Sequence, residues 1–330
     1  MIIGFLSNKL TIRGTEVNLY NYADYNETIL GNKSIIITRP YDHVMKVAST
    51  DVVPEAYTKF QNRFGEAMEY YINPPDVEDI IKKHKIDVIF IEKFGHKSDG
   101  LLFNSCKNII HAVFRTEDPH GDLFAPVSNT LNELYGTNYP VLPNIVSVAD
   151  TNENMRSELN IPNDATVFGV YGGADSFDID YIKQAVRTVG TNPTCNDIYF
   201  IFLNIKPFCQ ESSRIKFLPG TVDLIYKRKF INTCDAMLYG RSGGESFGIA
   251  CGEFSICNKL VIARATVFEY AHLTFLGENA IKHDSYDELI HILLNWSKYK
   301  KDVCNNGYVE CMPEPVMRLF KSELDKLFKS

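Results

Sequence analysis

Within Gly243-Gly244-Glu245-Ser246-Phe247-Gly248-Ile249-Ala250-Cys251-Gly252-Glu253, two glutamates stand eight residues apart behind a glycine pair and around a Phe-Gly step. Glycines let backbone N–H groups approach a ligand closely, and the segment from Phe247 onward reads as a helix whose N-terminus would face that ligand. Helix N-termini attract phosphate. Eight residues is a little over two turns at ~3.6 residues per turn, so Glu253 can return to the face where Glu245 begins. Two glutamates at this spacing also arise by chance and simply solvate a helix, so the surroundings must decide.

The surroundings are regular. Asp235 to Tyr239 reads as a short buried strand before the glycine turn, and Lys259 to Ala263 as the strand that follows the helix. Strand, glycine turn, helix and strand form a ligand-binding βαβ unit.

The whole chain repeats this alternation. Apolar runs at Ile2 to Leu6, Ser34 to Thr38, Ile86 to Glu92, Ile109 to Phe114 and Pro140 to Leu142 read as strands. Helical patterns fill the intervals at Glu16 to Tyr25, Pro54 to Phe64, Val77 to Lys83 and Asn129 to Tyr135. After a polar connection at Asp150 to Asn154 the pattern restarts, with strands at Thr166 to Tyr171, Ile198 to Leu203, Ile215 to Leu218, Ala236 to Tyr239 and Leu260 to Ala263. Alternating β and α segments imply an α/β fold of doubly wound parallel sheets. The expected domains are residues 1–150 and 151–312, with a final helix over 313–330 returning to the first. Ligands of such folds bind at the carboxyl ends of the strands, so the site is expected in a cleft between the two domains.

Composition bounds the rest. The 330 residues are 45% hydrophobic with a formal net charge of -7, which argues against broad phosphate neutralisation of a nucleic acid. Eight cysteines stand singly without a Cys-x-x-Cys pair, no signal peptide is expected ahead of them, and no apolar run approaches the ~20 residues of a membrane span. A cytoplasmic protein with reduced thiols is expected, with peripheral membrane contact left open.

The sequence Glu245-Ser246-Phe247-Gly248, four residues, then Glu253 resembles the Glu-x7-Glu motif of the retaining glycosyltransferases of family 4, with Ser246 where that family usually has glycine. The resemblance extends to Val127-Ser128, Pro143 to Val146, Arg156 to Pro162 and Phe217 to Val222. It implies the GT-B architecture of two facing Rossmann-like domains with a cleft between them. It also implies a hexosyltransferase that moves a sugar from a UDP- or GDP-sugar to a glycan or other hydroxyl acceptor with retention, without a metal or a permanently bound cofactor.

Carried over by position, Glu253 binds the donor ribose, Glu245 lies beside the donor sugar, and Phe247 and Gly248 offer backbone N–H groups. Thr221 and Val222 lie where the family's loop meets the base. Gly14 and Arg13 follow the first strand, where a backbone can approach the diphosphate, and His111 matches a histidine that meets the donor sugar. A core histidine bonded to backbone is its alternative reading. After the first strand of the second domain the family places Arg and Lys, whereas here the stretch opens Gly172-Gly173. Lys206, Arg241 and Arg13 are the candidates to take over the phosphate charge, Arg241 first; each also reads as a solvated surface charge. Asp118 and His120, in the acidic segment Arg115 to Asp122, are candidates for acceptor hydroxyls or members of a plain surface loop. The loops at Asp42 to Val53 and Phe94 to Gly100 would also touch the acceptor. A nucleotide-sugar epimerase, a phosphorylase or a non-catalytic binding protein on the same architecture are the alternatives.

Overall fold

The computed structural model describes residues 1–46 and 52–329; residues 47–51 of the expected Asp42 to Val53 acceptor loop lie outside them. The chain forms two compact units, Met1–Ile145 with Glu310–Ser330, and Val146–Val309.

The first unit holds a six-stranded sheet of β1 (Ile2–Leu6), β2 (Lys33–Thr38), β3 (Met68–Tyr70), β4 (Val88–Lys93), β5 (Lys107–Ala112) and β6 (Leu123–Pro126). Every pairing is parallel, in the order β3-β2-β1-β4-β5-β6. A parallel sheet covered on both faces is made from near-continuous apolar runs, and Ile35, Ile36, Ile37, Val88, Ile89 and Phe90 are all fully buried. Two of its helices begin where a side chain offers the first amides a partner. Asn73 and Asp76 form a capping box with proline at the next position, starting Pro74–His84, and Ser128 caps Asn129–Tyr135. The final helix, Pro313–Leu327, belongs to this unit: its Phe320 ring packs edge-on against Tyr22, 5.3 Å between centroids, and against Phe90.

The second unit repeats the plan with β7 (Thr166–Tyr171), β8 (Ile198–Leu203), β9 (Ile215–Leu218), β10 (Ala236–Leu238), β12 (Leu260–Arg264) and β14 (Ala280–His283). The order is β14-β12-β10-β7-β8-β9, again all parallel. Counted within the unit this is the same 3-2-1-4-5-6 order as the first, the doubly wound Rossmann arrangement. Strand order reverses between β1 and β4 in one unit and between β7 and β10 in the other. The loops that leave these strands flank each switch point.

Three local expectations need correction. Pro140 to Leu142 forms no strand: its two flanking prolines remove ladder donors, and the sixth position of the sheet is taken by β6, whose short Leu-Phe-Ala-Pro sequence hides it. The strand expected at Ile109 to Phe114 begins and ends two residues earlier. The glycine turn at 243–245 contains its own small ladder, β11 (Gly244–Glu245) beside β13 (Glu269–Tyr270).

Candidate active site

β10 ends at the switch point of the second unit, and the chain then turns through Tyr239 to Gly248. The neighbouring loop after β7 is stitched to it. Backbone N–H groups of Asp178 and Ile179 donate to the Gly240 carbonyl, while the Ser242 amide and hydroxyl donate to the Asp178 carboxylate at 2.7 and 2.8 Å. Two glycines are obligatory for the turn. Gly244 has φ +77°, and a Cβ there would lie 2.0 Å from the Glu269 carbonyl oxygen across the ladder. Gly248 has φ +86° and caps the helix Ile249–Ile256, where a Cβ would lie 3.0 Å from both the His272 Cβ and the Tyr308 hydroxyl.

Glu245 leaves this turn with both oxygens engaged. The Tyr239 hydroxyl donates to Oε1 and the Arg241 guanidinium to Oε2, each at 3.1 Å. Burial raises the carboxyl above its ordinary pKa, an effect that Arg241 opposes. Glu245 in turn raises the pKa of Arg241. Arg241, expected to meet phosphate charge, is thus ion-paired with Glu245.

Glu253 is 1% exposed and held by a different set. Lys227 Nζ lies 2.5 Å from Oε1, and the Tyr171 hydroxyl bonds Oε2. Burial first, then the Glu253 charge, drives the Tyr171 pKa well above its ordinary value. Lys227 also sits 5.5 Å from the Tyr171 ring centroid. The helix that carries Lys227, Leu224–Thr233, starts from the Thr221-Val222 loop and is capped by Asp223. Thr221 and Val222 are half-buried at its entrance.

Between the two carboxylates runs the start of the helix Ile249–Ile256, whose first turn no side chain caps. Phe247 is buried beneath it, its ring against Phe275 and Tyr308, and the Tyr308 hydroxyl donates to the Phe247 carbonyl at 2.7 Å. A turn anchored this way presents its amides in a fixed direction. In the β7 loop, the Gly172 carbonyl accepts from Asn204, and a Cβ at Gly172 would lie 2.4 Å from Ser176 Oγ. Gly173 and Lys206 are exposed, with the Lys206 amide bonded to Ala174.

The first-unit candidates are each held by their own surroundings. Arg13 is exposed and caps the helix Gly14–Thr28, so Gly14 opens that helix and is not a loop residue. His111 is fully buried between Tyr22 and Phe90, with Nε2 2.7 Å from the Leu142 carbonyl and Nδ1 3.2 Å from Glu92. Asp118 spends a carboxylate oxygen on the Lys97 amide at 2.7 Å. His120 is 7% exposed; its Nδ1–H donates to the Asp118 carbonyl at 2.7 Å, which leaves Nε2 to accept from Lys93 at 3.3 Å. Burial lowers the pKa of Lys93.

Sequence reasoning missed Tyr171, Lys227, Tyr239 and His272. Tyr171 closes β7 and Tyr239 directly follows β10, each immediately before a glycine, which is a readable signal. Lys227 and His272 come from other helices and leave none. Among the described residues no three carboxylate, imidazole or thiolate side chains gather to hold a metal ion, and none of the cysteines forms a disulfide. No helix there is long and apolar enough to cross a membrane.

No protein-family model and no curated protein matches the chain. Solved structures do. HepE of Anabaena, crystallised with UDP and glucose, superposes with a TM-score of 0.68 at 14% identity over 99% of each chain. The chain has the GT-B fold. A glycosyltransferase from Rickettsia africae follows at TM-score 0.66 and 14% identity, covering 99% of this chain and 98% of its own. WaaG, a glycosyltransferase of lipopolysaccharide biosynthesis, gives TM-score 0.60 at 12% identity over 98% of both chains. Within GT-B terms, the Glu245 turn and the Glu253 helix sit at the second unit's switch point, where ligands of doubly wound sheets bind.

Proposed function

We propose that this protein is a glycosyltransferase of the retaining, family-4 type that uses a nucleoside-diphosphate sugar, with UDP-sugars the first class to test. The observation that carries the reading is that two separately held carboxylates flank, along the chain, a helix N-terminus that no side chain caps. HepE, of like fold, binds UDP and glucose, which supports the choice of donor.

In this reading the ribose hydroxyls donate to Glu253, a carboxylate that Lys227 and Tyr171 fix in place. A carboxylate oxygen has more than one acceptor direction, so those partners leave room for further donors. The diphosphate meets the amides of Phe247, Gly248 and the first helical turn, helped by the positive end of the helix dipole. Arg241 supplies positive charge beside it, the Gly172-Gly173 backbone approaches from the β7 loop and Lys206 from the loop after β8, and Thr221 and Val222 face the base. Glu245 accepts hydroxyls of the transferred sugar. On the first unit, Arg13 and Gly14 are the candidates for phosphate and Asp118 and His120 for acceptor hydroxyls. His111, enclosed by Tyr22 and Phe90, would act by fixing Glu92 and the 142–143 segment rather than by touching substrate.

The reaction breaks the bond between the anomeric carbon and the phosphate oxygen and forms one from the same carbon to the acceptor oxygen. With retention, the acceptor proton passes to the departing phosphate on the same face. The protein's task is then to stabilise charge and hold both partners in register. Incubating the full chain with UDP-glucose, UDP-galactose and UDP-N-acetylglucosamine should release UDP, and Glu245→Gln should lower that release at least tenfold. Full activity in Glu245→Gln would refute the assignment.

A further inference from the structure

His272, second residue of the helix Ala271–Leu276, is wholly buried, and neither ring nitrogen has a hydrogen-bond partner among the described residues. Buried polar side chains are nearly always bonded, and a phenyl ring of similar shape would remove the cost of leaving two nitrogens unmet. Folding alone therefore favours an apolar residue at this position. The chain carries an imidazole there instead.

Its location gives that imidazole a use. The His272 ring lies 4.8 Å from the ring of Tyr239, whose hydroxyl donates to Glu245. The Cβ atoms of His272 and Glu245 flank Gly248, 3.0 and 3.4 Å from where a Cβ on that glycine would stand. His272 thus shares the turn that carries the sugar-side carboxylate. Burial, with a smaller contribution from the Arg241 charge, pushes the imidazole pKa down to about 3, so the ring is neutral with one donor and one acceptor nitrogen. A sugar hydroxyl is matched to such a ring, since it can accept from the N–H or donate to the bare nitrogen. A phosphate oxygen is matched less well, because it could use only the N–H.

Resting on the reading of Glu245 as the donor-sugar carboxylate, we propose that His272 is a second sugar-contacting residue of the same site, hydrogen bonding a hydroxyl of the transferred sugar once the Tyr239 ring shifts off it. Glu245 then reads one hydroxyl by its charge, and His272 reads another by its neutral donor and acceptor. Together they distinguish a nucleotide sugar from the bare nucleotide.

The test compares UDP with UDP-glucose by titration calorimetry on the full chain and on His272→Phe, His272→Leu and His272→Gln, with thermal midpoints measured in parallel. The expected result is a midpoint for His272→Phe or His272→Leu raised by roughly 2–4 °C or held, unchanged UDP affinity, and UDP-glucose affinity weakened about tenfold or more. His272→Gln, which keeps a neutral donor and acceptor, should recover part of that loss. UDP-glucose binding at the wild-type level in both apolar variants overturns the proposal, as does a parallel loss of UDP, which marks a structural role. Failure of the wild type to bind either ligand would bring down the glycosyltransferase reading, and this proposal with it.

Discussion

The Lys227 ammonium lies 2.5 Å from Oε1 of Glu253, on a glutamate side chain 2% exposed and a lysine side chain 13% exposed. Removing one member of a pair this enclosed leaves the other charged without compensation. Glu253→Ala and Lys227→Met should each destabilise the fold by about 3–5 kcal/mol. Replacing both with apolar residues should cost less than the sum, because no orphan charge remains. Urea unfolding of the three variants checks this; additive losses would mean that the pair does not couple.

The turn before the helix tolerates no side chain at two positions. In Gly248→Ala the new methyl meets the His272 Cβ and the Tyr308 hydroxyl at a positive φ, for an expected loss of about 1–3 kcal/mol. Gly244→Ala should lose more, since the obstructing atom is a backbone carbonyl oxygen of the paired strand, which cannot rotate away as a side chain can. Equal stability of the two variants in denaturant titrations would contradict the close approach at Gly244.

Two buried histidines should make the fold sensitive to mild acid. Burial pushes the pKa of His272 down to about 3 and that of His283 down to about 4, from 6.5 in an exposed residue. The unfolded chain therefore takes up protons below pH 6.5 that the folded chain refuses, so this stability is complete above pH 6.5 and falls as pH drops toward 3–4. His272→Phe and His283→Phe should each flatten the slope of unfolding free energy between pH 6.5 and 4. An unchanged slope in both would contradict the burial of the rings.

Glu245 predicts the opposite sign. Its carboxyl is raised above 4.5 by burial, so the folded state binds the proton more tightly and stability is lost as pH rises through the folded value. Glu245→Gln should therefore compare more favourably with the wild type at pH 7 than at pH 4, while its activity falls. A variant that compares better at pH 4 would show that Arg241 outweighs desolvation.

The doubly wound sheets were legible because their strands are near-continuous runs of β-branched and aromatic residues, as at Ser34 to Thr38 and Thr166 to Tyr171, and two parallel sheets buried on both faces demand such runs. The helix after the Glu245 turn was legible from its glycines. β6 was not, because Leu123–Pro126 is four residues long and ends in proline. The partners of the glutamates were hidden for a different reason. Lys227 reaches Glu253 from another helix, 26 residues away, and nothing local marks a lysine as the counter-ion of a buried carboxylate. His272 likewise becomes conspicuous only when its ring is found enclosed beside Tyr239. Spacing along the chain places a carboxylate on a turn or a helix, but its charge partners are set by packing between elements.

The central claim is that Glu253 holds the ribose of a nucleotide donor on the second unit. Titration calorimetry of UDP, GDP and ADP against the full chain measures it most directly, together with Glu253→Gln, which keeps the side chain's shape and removes its charge. Tight binding of one nucleotide, UDP first, with a loss of at least tenfold in Glu253→Gln, is the predicted result. Binding of the same nucleotide with undiminished affinity in that variant, or no binding of any of the three by the wild type, would contradict the account.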